Sequence, residues 1–230
     1  MKPVIILGKG PSARFLDKSD KYDVATINNS IWMHSEPKWS FFNDLESMEQ
    51  MKDSDFDKVS TIITPSYLHS QYNPRFNNQS CDFHFYRLAE FFPERFNNTD
   101  FIVYELHDND NKREEESKRI QEGGEPAPKL DEWPRSTGQT ATMWLMKFTE
   151  CRDFITMGLD PLGGYHPYFL DNALKNEDGT LAFQGQSTNA QPSGYDEDYN
   201  QSLRIANKYN ARFRHINDVS KEEKIELGLL

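Results

Sequence analysis

The chain has 230 residues, enough to bury one substantial core but cramped for two full domains, and its 36% hydrophobic and 27% charged residues predict one core with generous polar loops. A formal charge of −11 argues against a surface whose main task is to coat a phosphate backbone, because such binding rests on Lys and Arg displacing counterions. No apolar run reaches the roughly 18 residues of a membrane span, and the two distant cysteines, Cys81 and Cys151, indicate neither a zinc site nor a disulfide framework.

Met1-Lys2-Pro3 leads directly into a strand-like segment rather than a secretory leader, so a soluble, cytoplasmic protein is expected. That segment, Val4-Ile5-Ile6-Leu7, is continuously apolar and stops at Gly8, the pattern of a strand buried on both faces of a parallel sheet. Pro11 and Ser12 follow with helix-start chemistry. Asp23 to Ile27 predicts a second strand, Trp39 to Phe42 a third, and Val59 to Ile63 and Phe101 to Tyr104 two more, with helical candidates between several of them. This alternation predicts an α/β fold: a Rossmann-like, doubly wound, mostly parallel sheet with helices on both faces.

From Glu105 to Pro134 the sequence turns to charge, glycine and proline, and is read as a flexible insertion and candidate lid. Thr137 to Glu150 is apolar nearly all round and predicts a central helix, leading into a buried strand at Phe154 to Gly158. Asn176 to Gly194 reads as loop. Tyr195, Tyr199, Leu203, Ala206 and Tyr209 recur at helical spacing, and Arg212 to Ile216 reads as the last strand. With no internal repeat, the organisation expected is a single domain over residues 1–230.

Strand, Gly8-Lys9-Gly10-Pro11-Ser12-Ala13, then helix is a context in which glycines let the main chain approach a ligand while a helix N-terminus faces an anion. The loop satisfies Gly-x-Gly-x-x-Ala. A dinucleotide site, however, expects an acidic residue about 20 residues on to hold the ribose, and Asn28 and Asn29 stand there instead. No Gly-Lys-Ser/Thr closes the loop, so a Walker-type phosphate site fails as well.

With these residues assembled, the chain resembles the family-42 bacterial sialyltransferases and related Rossmann-like glycosyltransferase or pterin-diphosphokinase domains. The Gly-Asn-Gly-Pro-Ser loop of those families is matched by Gly8-Lys9-Gly10-Pro11-Ser12, their second-strand asparagine by Asn28, and the asparagine after an aromatic third strand by Asn43. Arg135-Ser136-Thr137-Gly138 is similar to their Arg and Thr-Ser-Gly helix start, and Gly158-Leu159-Asp160 to their Gly-Ile-Asp. The resemblance implies metal-independent, inverting transfer of a sugar from a nucleotide donor, CMP-linked in the family, with no cofactor. It assigns Asn28, Asn43, Ser136, Thr137 and Gly138 to the nucleotide, with Gly158 and Asp160 bordering the sugar; Gly8, Lys9, Gly10, Pro11 and Ser12 complete the expected donor-binding set. The family's late-loop histidine has no counterpart between Gln186 and Asp198, and Pro161 and Leu162 stand directly after Asp160, near where its tyrosines are expected.

The chemistry needs a base at the acceptor hydroxyl and a cation at the departing phosphate. His166, beyond a strand's carboxyl end, is the first candidate base, with Asp160 and Asp196 behind it; Arg135 and Lys9 are the candidate cations. Asp108-Asn109-Asp110 imitates a metal-holding Asp-x-Asp, a subordinate reading beside an expectation of no metal. His34, His69, His84, His107 and His215 show no ligand spacing and read as structural. Lys208 to His215 interleaves cations and aromatics, either a nucleic-acid groove or, preferred, a helix end followed by a strand. The acceptor expected is a glycan or a modified nucleic-acid base. The alternatives are a diphosphokinase or nucleotide hydrolase on the same scaffold, and a non-catalytic nucleotide-binding module.

Overall fold

The computed structural model describes residues 1–43, 47–48, 50–65, 67–70, 81–84, 100–104, 130, 136–160, 164–172 and 195–230. Its strands, in chain order, are β1 (Val4–Leu7), β2 (Asp23–Ile27), β3 (Trp39–Phe41), β4 (Thr61–Pro65), β5 (Tyr67–Ser70), β6 (Cys81–His84), β7 (Asp100–Tyr104), β8 (Asp153–Met157) and β9 (Arg212–His215). Seven of them form one sheet in the order β7-β4-β3-β2-β1-β8-β9. Every adjacent pair in it is parallel, so the fold is α/β with a parallel sheet. β5 and β6 form a separate antiparallel pair.

β1 lies in the interior of the sheet, and all four of its residues are buried and apolar, which suits a strand covered on both faces. It pairs with β2 on one side and β8 on the other. The chain runs outward from β1 through β2, β3, β4 and β7, then returns to β8 and β9 beyond the opposite edge of β1. Strand order therefore reverses between β1 and β8. In an open parallel sheet the crevice beyond the carboxyl ends of two such strands is the natural place for a ligand.

The helices are α1 (Asp53–Phe56), α2 (Thr137–Phe148), α3 (Pro167–Asn172), α4 (Tyr195–Lys208) and α5 (Lys221–Leu227), with 3-10 turns η1 (Asn28–Met33) and η2 (Ile216–Asp218). On one face, Val4, Ile6, Ala25, Phe41, Ile63 and Phe154 pack with Ala141 and Met143 to Met146 of α2, with Ile205 and Ala206 of α4, and with Leu130. Every residue of α2 from Thr137 to Met146 is buried: the polar Thr137, Gln139, Thr140 and Thr142 in its first half, and Met143 to Met146 in its second. On the other face, Ile5, Leu7, Val24, Ile155 and Met157 are covered by Ala13, Leu16, Met33, Phe169, Val219 and Leu229.

One expected element is absent. No helix follows the glycine loop, and residues 11–22 form turns and irregular chain. The backbone hydrogen bonds go elsewhere: Ala13 N donates back to Gly10 O, Leu16 N to Met33 O, and Ser35 N to Leu16 O. Leu16 and His34 form an isolated parallel bridge, so this stretch runs extended beside η1 while Ala13 and Leu16 enter the core. Among the described residues no helix is long and apolar enough to cross a membrane.

Candidate functional site

The loops after β1 and β8 are laced together at the strand reversal. Gly8 N donates to Met157 O at 2.7 Å and Gly10 N to Gly158 O at 2.7 Å. Gly158, at φ 74, sits in the left-handed region that glycine adopts at little cost, and its N–H donates to Ser12 Oγ at 2.7 Å. A Cβ on Gly8 would collide with Gly158 O, one on Gly10 with Asp160 Oδ2, and one on Gly158 would lie 2.5 Å from Gly8 O. The three glycines are thus required by the approach of one loop to the other. The amides of Gly8, Gly10 and Ser12 face protein acceptors, so the phosphate cradle expected of this loop does not form from them.

Asp160 closes the junction. Its Oδ2 accepts from Ser12 N at 3.0 Å and its Oδ1 lies 3.4 Å from His215 Nε2, while Ser12 Oγ lies 3.5 Å from the same nitrogen. Burial raises the carboxyl's pKa, but hydrogen bonds from His215 and Ser12 and the charge of His215 outweigh it, and the net position is below the ordinary aspartate value. Asp160 is held ionised. His215 Nδ1 accepts from Asn217 N at 3.2 Å, which places the neutral ring's proton on Nε2, facing Asp160 and Ser12. Serine, histidine and aspartate therefore meet here without a nucleophile-activating relay, because the nitrogen nearest the hydroxyl is already protonated.

A second cluster lies at the start of α2. Ser136 caps the helix, its Oγ accepting from Gln139 N at 3.2 Å, which leaves the Thr137 and Gly138 N–H groups without an intrahelical acceptor. Asn28, buried and at φ 51, a conformation asparagine tolerates better than most residues, places Nδ2 3.4 Å from Thr137 Oγ1. Asn43 Nδ2 donates to Thr140 Oγ1 at 3.0 Å. Strand-end amides from β2 and β3 thus meet one helical turn. Behind them, Ser30 Oγ donates to Leu7 O at 2.5 Å and accepts from Ile27 N at 2.7 Å, which fixes η1 against the ends of β1 and β2. Gly138 links this cluster to the loop junction: a Cβ there would lie 3.1 Å from Leu159 Cδ2 and 3.5 Å from Ile27 Cδ1.

On the other side of the same helix start, α2, α4, β8 and β9 leave a small cleft, partly open to solvent. Gln139, Thr142, Thr156, Tyr199, Ser202 and Phe213 are among its walls, with Ser136, Gly138 and Leu159. Burial pushes the Tyr199 phenol above its ordinary pKa, with Asp218 adding to the effect.

Of the residues expected from sequence, Gly8, Gly10, Ser12, Gly158 and Asp160 meet in the loop junction, and Asn28, Asn43, Ser136, Thr137 and Gly138 around the start of α2. Pro11 is on the surface, near Gly164. Lys9 lies over the Tyr165 ring at 5.5 Å, and its carbonyl accepts from His166 N at 2.8 Å. His166 Nδ1 accepts from Tyr168 N at 3.2 Å, which in the neutral ring places the proton on Nε2. Asp196 falls in the first turn of α4. Arg135, His107, Asp108-Asn109-Asp110 and, apart from Leu130, the 105–134 insertion lie outside the described residues, as does the loop read at Asn176 to Gly194.

Lys208 to His215 forms the preferred helix end and strand rather than an open basic groove. Arg214 makes a bidentate contact to Asp153 at 2.9 and 3.1 Å and one to Glu223 at 2.7 Å, and Arg212 approaches the same carboxylates. His215, read from sequence as structural, takes part in the internal contacts of the loop junction, facing Asp160 and Ser12. Its signal is topological: once β9 is paired with β8, His215 stands opposite Thr156, near the carboxyl end of β8. No protein-family model, curated protein or solved structure matches the chain, so no family is assigned.

Proposed function

We propose that the chain binds a nucleotide-activated sugar at the carboxyl edge of its sheet and transfers the sugar to an acceptor hydroxyl without a metal. The observation that carries this reading is the convergence of Asn28 from the end of β2 and Asn43 from beyond β3 on the first turn of α2. Carboxamides offer both a donor and an acceptor, the combination that ribose hydroxyls and base edges require. The helix start adds N–H groups and a positive dipole end for phosphate. The strand reversal between β1 and β8 supports a Rossmann-like reading of the crevice, although the glycine loop contributes structure there rather than a cradle.

In the transfer, the acceptor oxygen bonds to the anomeric carbon while the bond from that carbon to phosphate breaks, its electron pair leaving on the phosphate. The start of α2 stabilises that charge, with Arg135, the residue before Ser136, as the assisting cation. Asp160 positions the two loops, and Asp196 is the candidate base that takes the proton released by the acceptor hydroxyl. A non-catalytic nucleotide-binding module is the second reading, favoured by the engagement of Asp160, His166 and His215 in internal hydrogen bonds.

The test is calorimetry with CMP, UDP and GDP, followed by hydrolysis assays with the corresponding nucleotide sugars in EDTA. One nucleotide should bind and its sugar should be released slowly without metal. Asn43→Ala should weaken that nucleotide about tenfold, the equivalent of one ligand hydrogen bond of about 1.4 kcal/mol. Binding without turnover selects the module, and no binding by any nucleotide refutes both.

A further inference from the structure

We infer that Ser30 is a positioning residue for nucleotide binding: its hydroxyl holds the turn that swings Asn28 across the sheet onto the start of α2. This rests on the proposed nucleotide reading and adds to it the group that sets one of its two carboxamides.

Strand alternation shows why a turn is needed. Along β2, Ala25 and Ile27 pack in the cluster on the α2 face, whereas Val24 packs in the cluster on the opposite face. Side chains two residues apart share a face of a strand. A strand continued through residue 28 would therefore carry Asn28 to the face of Val24, into an apolar layer and away from α2. Instead Asn28 takes φ 51, and its Nδ2 comes to 3.4 Å from Thr137 Oγ1. The left-handed region costs asparagine less than most residues, yet extended and right-handed backbone is preferred by every residue but glycine, so the turn has to be held.

Ser30 is placed to hold it. Its Oγ accepts from Ile27 N at 2.7 Å, closing the chain over Asn28 and Asn29, and donates to Leu7 O at 2.5 Å. Ile27 ends β2 and Leu7 ends β1, so one hydroxyl ties the turn to two backbone groups already fixed in the sheet. Ser30 is 0% exposed. It acts on a ligand only through the residue whose turn it closes.

The experiment is calorimetry with CMP, UDP and GDP on the full chain, on Ser30→Ala, on Asn28→Gly, on the two combined, and on Leu229→Ala. Asn28→Gly removes the carboxamide and leaves a residue that adopts positive φ freely. Leu229→Ala takes a buried side chain from the opposite face and controls for lost stability alone. Near-ultraviolet circular dichroism checks folding. Where Ser30→Ala does not fold, Ser30→Cys takes its place, with a weaker donor and acceptor at the same position. NMR on each ligand-free protein reads the Overhauser contact between the Asn28 carboxamide protons and the Thr137 side chain.

The nucleotide that binds the unmodified chain should bind Ser30→Ala and Asn28→Gly about tenfold more weakly, the loss of one ligand hydrogen bond. The combined variant should bind no more weakly than Asn28→Gly, because the serine works through the asparagine. The Overhauser contact should vanish in Ser30→Ala and persist in Leu229→Ala, which should bind as the unmodified chain does. Three results overturn Ser30 as a positioning residue and leave the nucleotide reading standing: unchanged affinity in Ser30→Ala, additive losses in the combined variant, or an Overhauser contact that survives the loss of the hydroxyl. An equal loss in Leu229→Ala overturns it too, by assigning the effect to stability. Binding by no nucleotide overturns the nucleotide reading itself and, with it, the part given to Ser30.

Discussion

Replacing Asp160 by asparagine keeps the side chain's shape and removes its charge, which makes it the sharpest probe of the junction between the β1 and β8 loops. The carboxylate takes Ser12 N–H on one oxygen and faces His215 Nε2–H with the other, and its side chain is 11% exposed. An amide has one acceptor and must point its NH2 group at one of these two donors. The variant therefore loses one charge-assisted hydrogen bond and weakens the other, at a cost of about 2–4 kcal/mol. For a chain of this size that lowers Tm by roughly 5–15 °C at neutral pH. The acid limb carries a second signature. Because the folded carboxyl titrates below its ordinary value, the unfolded chain takes up the proton first as pH falls. The stabilisation is complete above the ordinary aspartate pKa of about 3.9 and is lost as pH drops through the lower folded value. Asp160→Asn should lack that component. Urea titrations at pH 7, 5, 4 and 3 measure both effects. Equal midpoints at pH 7 together with parallel acid limbs would refute the assignment of Asp160 as the clasp of the junction.

Gly10→Ala forces a methyl onto Asp160 Oδ2 and to 2.9 Å from Gly158 O, so it should destabilise by at least the 1–3 kcal/mol typical of overpacking; a Tm within a degree of the parent's on a thermal scan contradicts the lacing of the two loops. His34 is buried, and burial first, then the charge of Lys58, depresses its pKa from 6.5 to about 4. The unfolded chain therefore protonates this ring first, and stability on the order of 3 kcal/mol is lost as pH falls from 6.5 to 4. His34→Gln should show a flatter profile across that window in urea titrations, and identical profiles would count against a neutral buried ring. The Asn43→Ala affinity loss described above should leave the Asp160 acid signature unchanged, because Asn43 contacts α2 rather than the loop junction.

The strands were legible because the sheet's centre is buried on both faces, and a chain can satisfy that only with uninterrupted apolar runs. Val4–Leu7 is such a run, and Asp23–Ile27 is one broken by Thr26, whose Oγ1 donates to Ser40 Oγ; both are strands over the residues expected. The second half of α2 follows the same logic, Met143 to Met146 being apolar on every side and buried. What the sequence hid was structure that buries little or pairs locally. α5 contains no buried residue and so has no apolar period, yet its ends carry the signals: Ser220 Oγ accepts from Glu223 N, and Gly228 takes φ 74. η1 was hidden inside what reads as a strand end, because Asn28 leaves the strand by a left-handed turn that only asparagine's tolerance for positive φ suggests.

The glycine loop shows why a site is harder to read than a sheet. Gly8 and Gly10 signal that something must come close to the backbone, and sequence cannot say whether that something is a phosphate or another loop. Here it is Gly158 and Asp160, brought there by a pairing of β1 with β8 that spans about 150 residues of chain. Once that contact exists, the loop's amides are committed, and the proposed nucleotide reading therefore turns to the first-turn amides of α2, beside Asn28 and Asn43, for its phosphate. The rigidity of the junction then matters for binding: it fixes Leu159 against Gly138, and through that contact sets where α2 begins relative to β2. Loosening the clasp at Asp160 should therefore weaken nucleotide binding through the helix start rather than through any contact of its own. That loss should diminish when Tm is restored by a stabilising substitution elsewhere, whereas the loss in Asn43→Ala should not.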